Sequence, residues 1–336
     1  MSLPAQHAAV QAFTETDLKR NGIVRLSLPL PYKPGTVNAY LLTGPPPVLI
    51  DTGLNDRISL KSLWEVLNSE GIQPHEIEHV FLTHGHIDHA GAAAFLAQNY
   101  QTKIWVHELE KSRFNGRYAH FLTTMLPDIY RRLGADQEAL NNLKKTIQSS
   151  LKNYYRMRHN SFRFFKHEQK LPVADYDLSV LYTPGHSPGS VCFIEKKQKV
   201  IFTGDTLLSE GTPRPTLSLD ALGGPYFNGL IELKKSLALL TAAEAETVLP
   251  GHGYPANRTG LILKAKMTLK RKQALLLRKL GSDFTPYDLI RRRDKRTKGA
   301  YLFIDLYQTR TILQALLAEG KVNMRIRAGV EYFQLA

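Results

Sequence analysis

EHVFLTHGHIDHAG, residues 78–91, is the stretch from which the architecture can be worked outward. Glu78–Thr83 is an apolar run of the length of a buried strand. It delivers directly into His84-Gly85-His86-Ile87-Asp88-His89, three imidazoles and a carboxylate within six residues. Such groups are good ligands for a borderline divalent cation. On a tight loop they diverge enough to serve two ions instead of crowding one. Matching pieces lie downstream: His186 in TPGHSPGS (183–190), Asp205 in TGDT (203–206) and His252 in LPGHG (249–253). Each follows an apolar run and stands beside a glycine, so a strand would deliver each to the same sheet edge.

The surrounding pattern alternates strands with helices, which points to a layered α/β domain. Strands are expected at 23–30, 37–42, 47–51, 78–83 and 102–107, with helices at 57–71 and 91–99. After a long helical stretch, strands return at 179–183, 190–195, 200–204 and 247–249, with a helix at 229–240. The interruption, residues 108–170, is rich in Tyr, Arg, Leu and Met and reads as two or three inserted helices. The tail reads as helices at 259–280, 285–293 and 306–319, then a hairpin over 321–334 around Ala328-Gly329. That is the element order of a winged helix.

The ligand block and its spaced partners resemble the metallo-β-lactamase fold superfamily, within it the glyoxalase II-like hydrolases. The resemblance implies an α/β (α+β) fold, a four-layer αβ/βα sandwich with metals at one edge of two facing sheets. It would span residues 1–255 as the catalytic domain, with 108–170 as a helical cap and 256–336 as a basic winged-helix-like domain. Carried over residue by residue, it assigns His84, His86 and His186 to a first metal. Asp88, His89 and His252 go to a second, with Asp205 bridging. Asp51, in IDTG (50–53), would support the ligand loop from behind. The implied cofactors are two divalent ions, zinc by default, with iron or manganese as alternatives. Two cations ~3.5–4 Å apart can share a water, lower its pKa towards ~7 and polarise a carbonyl. Asp88 and Asp205, with that activated water, would then carry the catalysis.

Departures from relatives narrow the chemistry. Zinc β-lactamases resemble this fold but lack a bridging carboxylate at the position of Asp205, which argues against antibiotic hydrolysis. Flavin-linked di-iron members carry Glu where this chain has His86. A mononuclear iron sulfur-oxygenase branch shares the residues matching His84, His186 and Asp205 and stays open. The expected activity is hydrolysis of a small ester, thioester or lactone, with a phosphodiesterase or ribonuclease as the alternative.

Composition bounds the rest. The 336 residues are 43% apolar and 22% charged, with a single cysteine, Cys192, so an intramolecular disulfide and a thiolate metal cluster are excluded. No run approaches the ~18–20 apolar residues of a membrane span, and the N-terminus lacks a signal-peptide pattern, so a cytoplasmic protein with no membrane partner is expected. Residues 256–336 carry 18 Lys/Arg against 6 Asp/Glu, and residues 108–170 carry 13 against 6. A mildly acidic core therefore bears two basic attachments. The tail makes nucleic acid a candidate partner beside the small-molecule substrate, with RRRDKRTK (291–298) its densest run. A groove-docked helix would have to use Gln308, Thr309, Arg310, Thr311 and Gln314. Packing, homodimerisation or a wall of the substrate pocket are the competing uses. In the insertion, Tyr118, Tyr130, Tyr154, Tyr155, Arg156, Arg158 and Phe162 are candidates to shape a pocket, as are Tyr226, Phe227 and Asn228 further on.

Overall fold

Short apolar runs buried on both faces build two facing sheets, because successive side chains point to opposite faces and each face needs its own cover. The computed structural model describes residues 13–159, 161–215, 217–218, 227–281, 283–293 and 299–336. The first sheet contains β1 (Ile23–Pro29), β2 (Thr36–Leu42), β3 (Val48–Ile50), β4 (His79–Phe81), β5 (Lys103–Val106) and β6 (Arg163–Phe164), paired in that order. β1 to β3 are antiparallel, and β3 to β6 run parallel. The second sheet uses β7 (Leu178–Tyr182), β8 (Val191–Glu195) and β9 (Val200–Gly204). A short ribbon, β10 (Leu217–Ser218) with β11 (Phe227–Asn228), precedes β12 (Thr247–Pro250) and β13 (Ala256–Asn257). The second sheet's order is β13-β12-β9-β8-β7.

The two faces of β8 show the layering. Val191 and Phe193 join Tyr40, Ile50, Phe81 and Phe202 in the core between the sheets. Cys192 and Ile194 face the other way, against Leu230, Leu233 and Leu237 of the helix Gly229–Ala242. On the outer face of the first sheet, Leu41, Leu49 and Val80 meet Leu63, Leu67 and Leu96 from the helices Arg57–Ser69 and Ala93–Tyr100. Helix, sheet, sheet, helix is the expected four-layer sandwich. Cys192 is core, and burial pushes its thiol up to about 12.

Two expectations change in detail. The helix expected over 91–99 is present as Ala93–Tyr100, and a separate unexpected turn, Ile87–Ala90, precedes it, so Asp88 and His89 sit on a helical turn of their own. The insertion is not purely helical. Its long helix Gln137–Arg156 is followed by β6, which pairs with β5 and extends the first sheet.

The tail shows three helices, Arg258–Leu277, Pro286–Arg293 and Gly299–Ala318, then the hairpin β14 (Val322–Arg327) and β15 (Val330–Leu335). It shares its core with the sandwich: Leu269, Leu313, Leu316 and Phe333 pack in one cluster with Leu230 and Ile201. Undocking would return each such side chain to water at a cost of about 1.5–3 kcal/mol. Leu302 and Leu306 also pack with Leu126, Tyr130 and Leu140, so the tail and the insertion touch each other. Tyr287 Oη donates to Asp136 across that contact at 2.8 Å. The proposed groove-docking helix is thereby occluded. Thr309, Arg310 and Thr311 are 8%, 7% and 0% exposed, and Arg310 pairs with the buried Glu331 of β15. Residues 294–298 of the basic run lie outside the described residues. Among the described residues no helix is long and apolar enough to cross a membrane.

Candidate metal centre

Each ligand-type side chain stands just past the end of a strand, and all the ends share one edge of the sandwich. β4 runs through Leu82 and Thr83 into His84, and His86 opens the turn Ile87–Ala90 that carries Asp88 and His89. His186 sits on the loop joining β7 to β8, Asp205 directly follows β9, and His252 lies two residues beyond β12. Asp51 directly follows β3.

The structure brings all seven expected ligand residues together. Potential ligand atoms of His84, His86 and His186 lie within 4.8 Å of one another, as do those of Asp88, His89 and His252. Asp205 stands between the groups. Its Oδ2 is 3.5 Å from His186 Nε2, while its Oδ1 is 3.4 Å from His89 Nε2 and 3.6 Å from His252 Nε2.

The outer nitrogens show what the inner ones can do. A histidine that donates from one ring nitrogen to a fixed acceptor presents a lone pair on the other. His186 Nδ1 donates to the Arg214 carbonyl at 3.1 Å and His252 Nδ1 to the Thr36 carbonyl at 2.7 Å. His89 Nδ1 donates to Asp51 Oδ2 at 2.8 Å. Thr83 donates its hydroxyl proton to Asp51 Oδ2 at 2.7 Å, so its oxygen accepts from His84 Nδ1 at 3.0 Å. Four Nε2 lone pairs therefore point inward. Two of them converge on His86 Nδ1, at 2.9 Å from His84 and 2.8 Å from His186. His89 Nε2 and Asp205 Oδ1 are buried without a hydrogen-bond partner. Buried acceptors facing each other are costly unless a cation sits between them. The residues fit divalent metal ions.

The electrostatics differ between the two halves. Asp205, Asp51 and Asp88 outweigh burial and hold His89 well above the ordinary histidine range, and Asp205 and Asp88 raise His252. A cation taken up there competes with a proton, whereas the three-histidine half favours neutral rings. Burial and the neighbouring imidazoles hold His84 well below the ordinary histidine range, and burial with the Arg113 guanidinium does the same to His86. Burial would raise the Asp205 carboxyl, but His252, His186 and His89 outweigh it and hold it well below the carboxylate range. Neutral imidazoles and ionised carboxylates are the forms that bind metal.

Sequence reading missed three supports. Thr83 is one, although its place beside His84 could have flagged it. Glu110 is the second: it is fully buried and accepts backbone N–H groups from both Gly85 and Gly189. It carries no spacing signal and lies in the stretch read as cap. The third is the tail, whose Lys264 donates to the Ser209 carbonyl at 2.8 Å and Lys272 to Thr212 Oγ1 at 3.1 Å. Those lysines grip the loop whose Arg214 carbonyl orients His186.

The pocket candidates separate. Tyr130 and Phe162 pack in cores, whereas Tyr118 and Tyr154 form a ring pair 5.0 Å apart. Tyr155 and Arg158 line a cavity of 640 Å³ with Arg117, His120, Phe121 and Met125. Arg156 donates to the Asn55 carbonyl. Asn228 caps the helix Gly229–Ala242 through its side chain, Phe227 is half-buried, and Tyr226 lies outside the described residues.

A family model described as the metallo-beta-lactamase superfamily matches residues 32–252. The chain is similar to a probable metallo-hydrolase, YqjP, of Bacillus subtilis (strain 168), at 23% identity over 93% of this chain and 97% of that protein. It is 31% identical to hydroxyacylglutathione hydrolase GloC of Haemophilus influenzae, over 52% of this chain and 68% of that one. Among solved structures, a metallo-beta-lactamase family protein of Thermus thermophilus, TTHA1429, shares the fold with a TM-score of 0.77. The identity there is 24%, covering 94% of this chain and 99% of that one.

Proposed function

This chain belongs to the metallo-beta-lactamase superfamily, and from that premise we propose that it is a binuclear metal hydrolase of a small ester, thioester or lactone. The observation that carries the reading is the convergence of three inward Nε2 atoms, those of His89, His186 and His252, on the Asp205 carboxylate, with His89 Nε2 and Asp205 Oδ1 both left without a hydrogen-bond partner. His84, His86 and His186 would hold one ion, and Asp88, His89 and His252 the other, with Asp205 shared between them. Zinc suits this nitrogen and oxygen donor set. Two such ions supply a Lewis acid for a carbonyl oxygen and bring the pKa of a water towards ~7. The protein's share is positional. Asp51 orients His89 directly and His84 through Thr83, while the carbonyls of Thr36 and Arg214 orient His252 and His186.

The choice of a carbonyl substrate is supported by GloC, whose named substrate, a hydroxyacylglutathione, is a thioester. The same ions could cleave a phosphodiester, which makes a nuclease the competing outcome. That outcome would have to do without a groove-docked helix, because Thr309, Arg310 and Thr311 are buried. The tail's role is instead to pack on the sandwich and brace the His186 loop.

The test is a side-by-side screen on metal-quantified protein. Thioesters, lactones and aryl esters are set against a bis-aryl phosphodiester and single-stranded RNA. Turnover of a carbonyl ester is the expected result. Cleavage of the phosphodiester or RNA alone would overturn the substrate class.

A further inference from the structure

We infer that Glu110 is a positioning residue that ties the two loops carrying His84, His86 and His186 into one cradle, and so sets how tightly the three-histidine half of the site holds its metal. The inference rests on the metal assignment proposed above. Glu110 comes from neither loop. It ends the single turn Glu108–Glu110 that follows β5, and it is 0% exposed. Its Oε2 accepts the N–H of Gly85 at 2.9 Å, between His84 and His86. Its Oε1 accepts the N–H of Gly189 at 2.8 Å, on the loop of His186. One carboxylate thus spans the two loops.

Both glycines are explained by the same contact. A Cβ at Gly85 would lie 2.8 Å from Glu110 Oε2 and 2.6 Å from Arg113 Cδ, and one at Gly189 would lie 2.6 Å from Glu110 Cγ. The loops pack against the carboxylate so closely that neither position has room for a side chain. Arg113 completes the arrangement, with Nε 2.9 Å from Glu110 Oε2 and its guanidinium 4.3 Å from the Tyr118 ring. Burial would raise the Glu110 carboxyl, but Arg113, the Ser187 hydroxyl and the two N–H groups hold it below the usual carboxylate range. The other half of the site hangs elsewhere: His89 on Asp51 and His252 on the Thr36 carbonyl.

A buried carboxylate can also serve stability alone, and the chain contains such a case. Glu195 is 0% exposed and accepts from the backbone of Asp177 at 2.8 Å and Gln198 at 2.6 Å, joining residues that hold no candidate ligand. It is the internal control. In Glu110→Gln an amide NH₂ must face one of two backbone donors, so one loop is released while the side-chain volume is kept.

The experiment measures zinc affinity by chelator competition on the full chain in two backgrounds. In His252→Ala only the three-histidine half keeps its ligands, and there Glu110→Gln is expected to weaken zinc about 10–100-fold. In His186→Ala, where the other half remains intact, the change is expected to stay within about threefold, since its supports are separate. Glu195→Gln should lower the thermal midpoint and leave zinc affinity unmoved. Gly189→Ala, which pushes on the same carboxylate from the other side, should reproduce the selective weakening, and serves if Glu110→Gln does not fold. Equal weakening in both backgrounds, no weakening in either, or the same loss from Glu195→Gln would overturn the inference. If the screen fails but selective zinc loss is seen, the substrate reading alone falls. If neither background binds zinc, the metal assignment falls, and this inference with it.

Discussion

Asp205→Asn is expected to lower kcat/KM for the carbonyl-ester substrate on the order of 10³-fold, about 4 kcal/mol of transition-state stabilisation. The carboxylate lies within 3.6 Å of an imidazole from each of three separate loops, those of His89, His186 and His252. Asparagine keeps the shape but offers one oxygen and turns an NH₂ towards nitrogens that already present lone pairs. In the proposed assignment the shared ligand would be lost, and with it the negative charge that would let two cations sit close together. Metal content should fall from two ions per chain to one or fewer in the same preparation. A variant within tenfold of the parent, with both ions retained, would remove Asp205 from the centre of the account.

Asp51→Asn should weaken metal binding about 10–100-fold and lower turnover with it, although Asp51 touches no ion in the assignment. Its two oxygens take three donors: the Thr83 N–H at 2.8 Å, the Thr83 hydroxyl at 2.7 Å and His89 Nδ1 at 2.8 Å. An amide in its place must set a donor against a donor. The cheapest escape is for His89 to protonate Nε2 instead, which spends the lone pair that faces Asp205. The backbone offers no competing explanation. Asp51 has φ +58°, in the left-handed region that asparagine also tolerates. Chelator competition checks the affinity directly, and values within about threefold of the parent would contradict this role for Asp51.

The candidate ligand residues are legible because they are distinctive side chains that either crowd into one six-residue block, His84 to His89, or stand beside a glycine past an apolar run, as His186, Asp205 and His252 do. Asp51 is readable only through the resemblance of IDTG (50–53) to the family pattern. Glu110 is not, because its partners are the backbone N–H groups of Gly85 and Gly189, which leave no mark on residue type. The tail misled in another way. Thr309-Arg310-Thr311 looks like a solvated polar face, yet Arg310 is neutralised by Glu331, and the Thr311 hydroxyl donates to the Tyr307 carbonyl at 2.8 Å. These two contacts run to a hairpin and to a helical turn, and periodicity alone cannot bring the hairpin into contact. The layers could be anticipated from the alternation of strands with helices along the chain. That β6 would leave the insertion and join the first sheet could not, since two residues carry no period.

The most direct measurement strips the metal and returns it in steps, counting bound ions by mass spectrometry while following turnover of the best ester from the screen. Activity is expected to disappear as the ions leave. It should return as zinc is restored, with the larger part arriving as the second equivalent fills the site around Asp205. Turnover that persists in protein holding almost no metal would contradict a metal-dependent hydrolase.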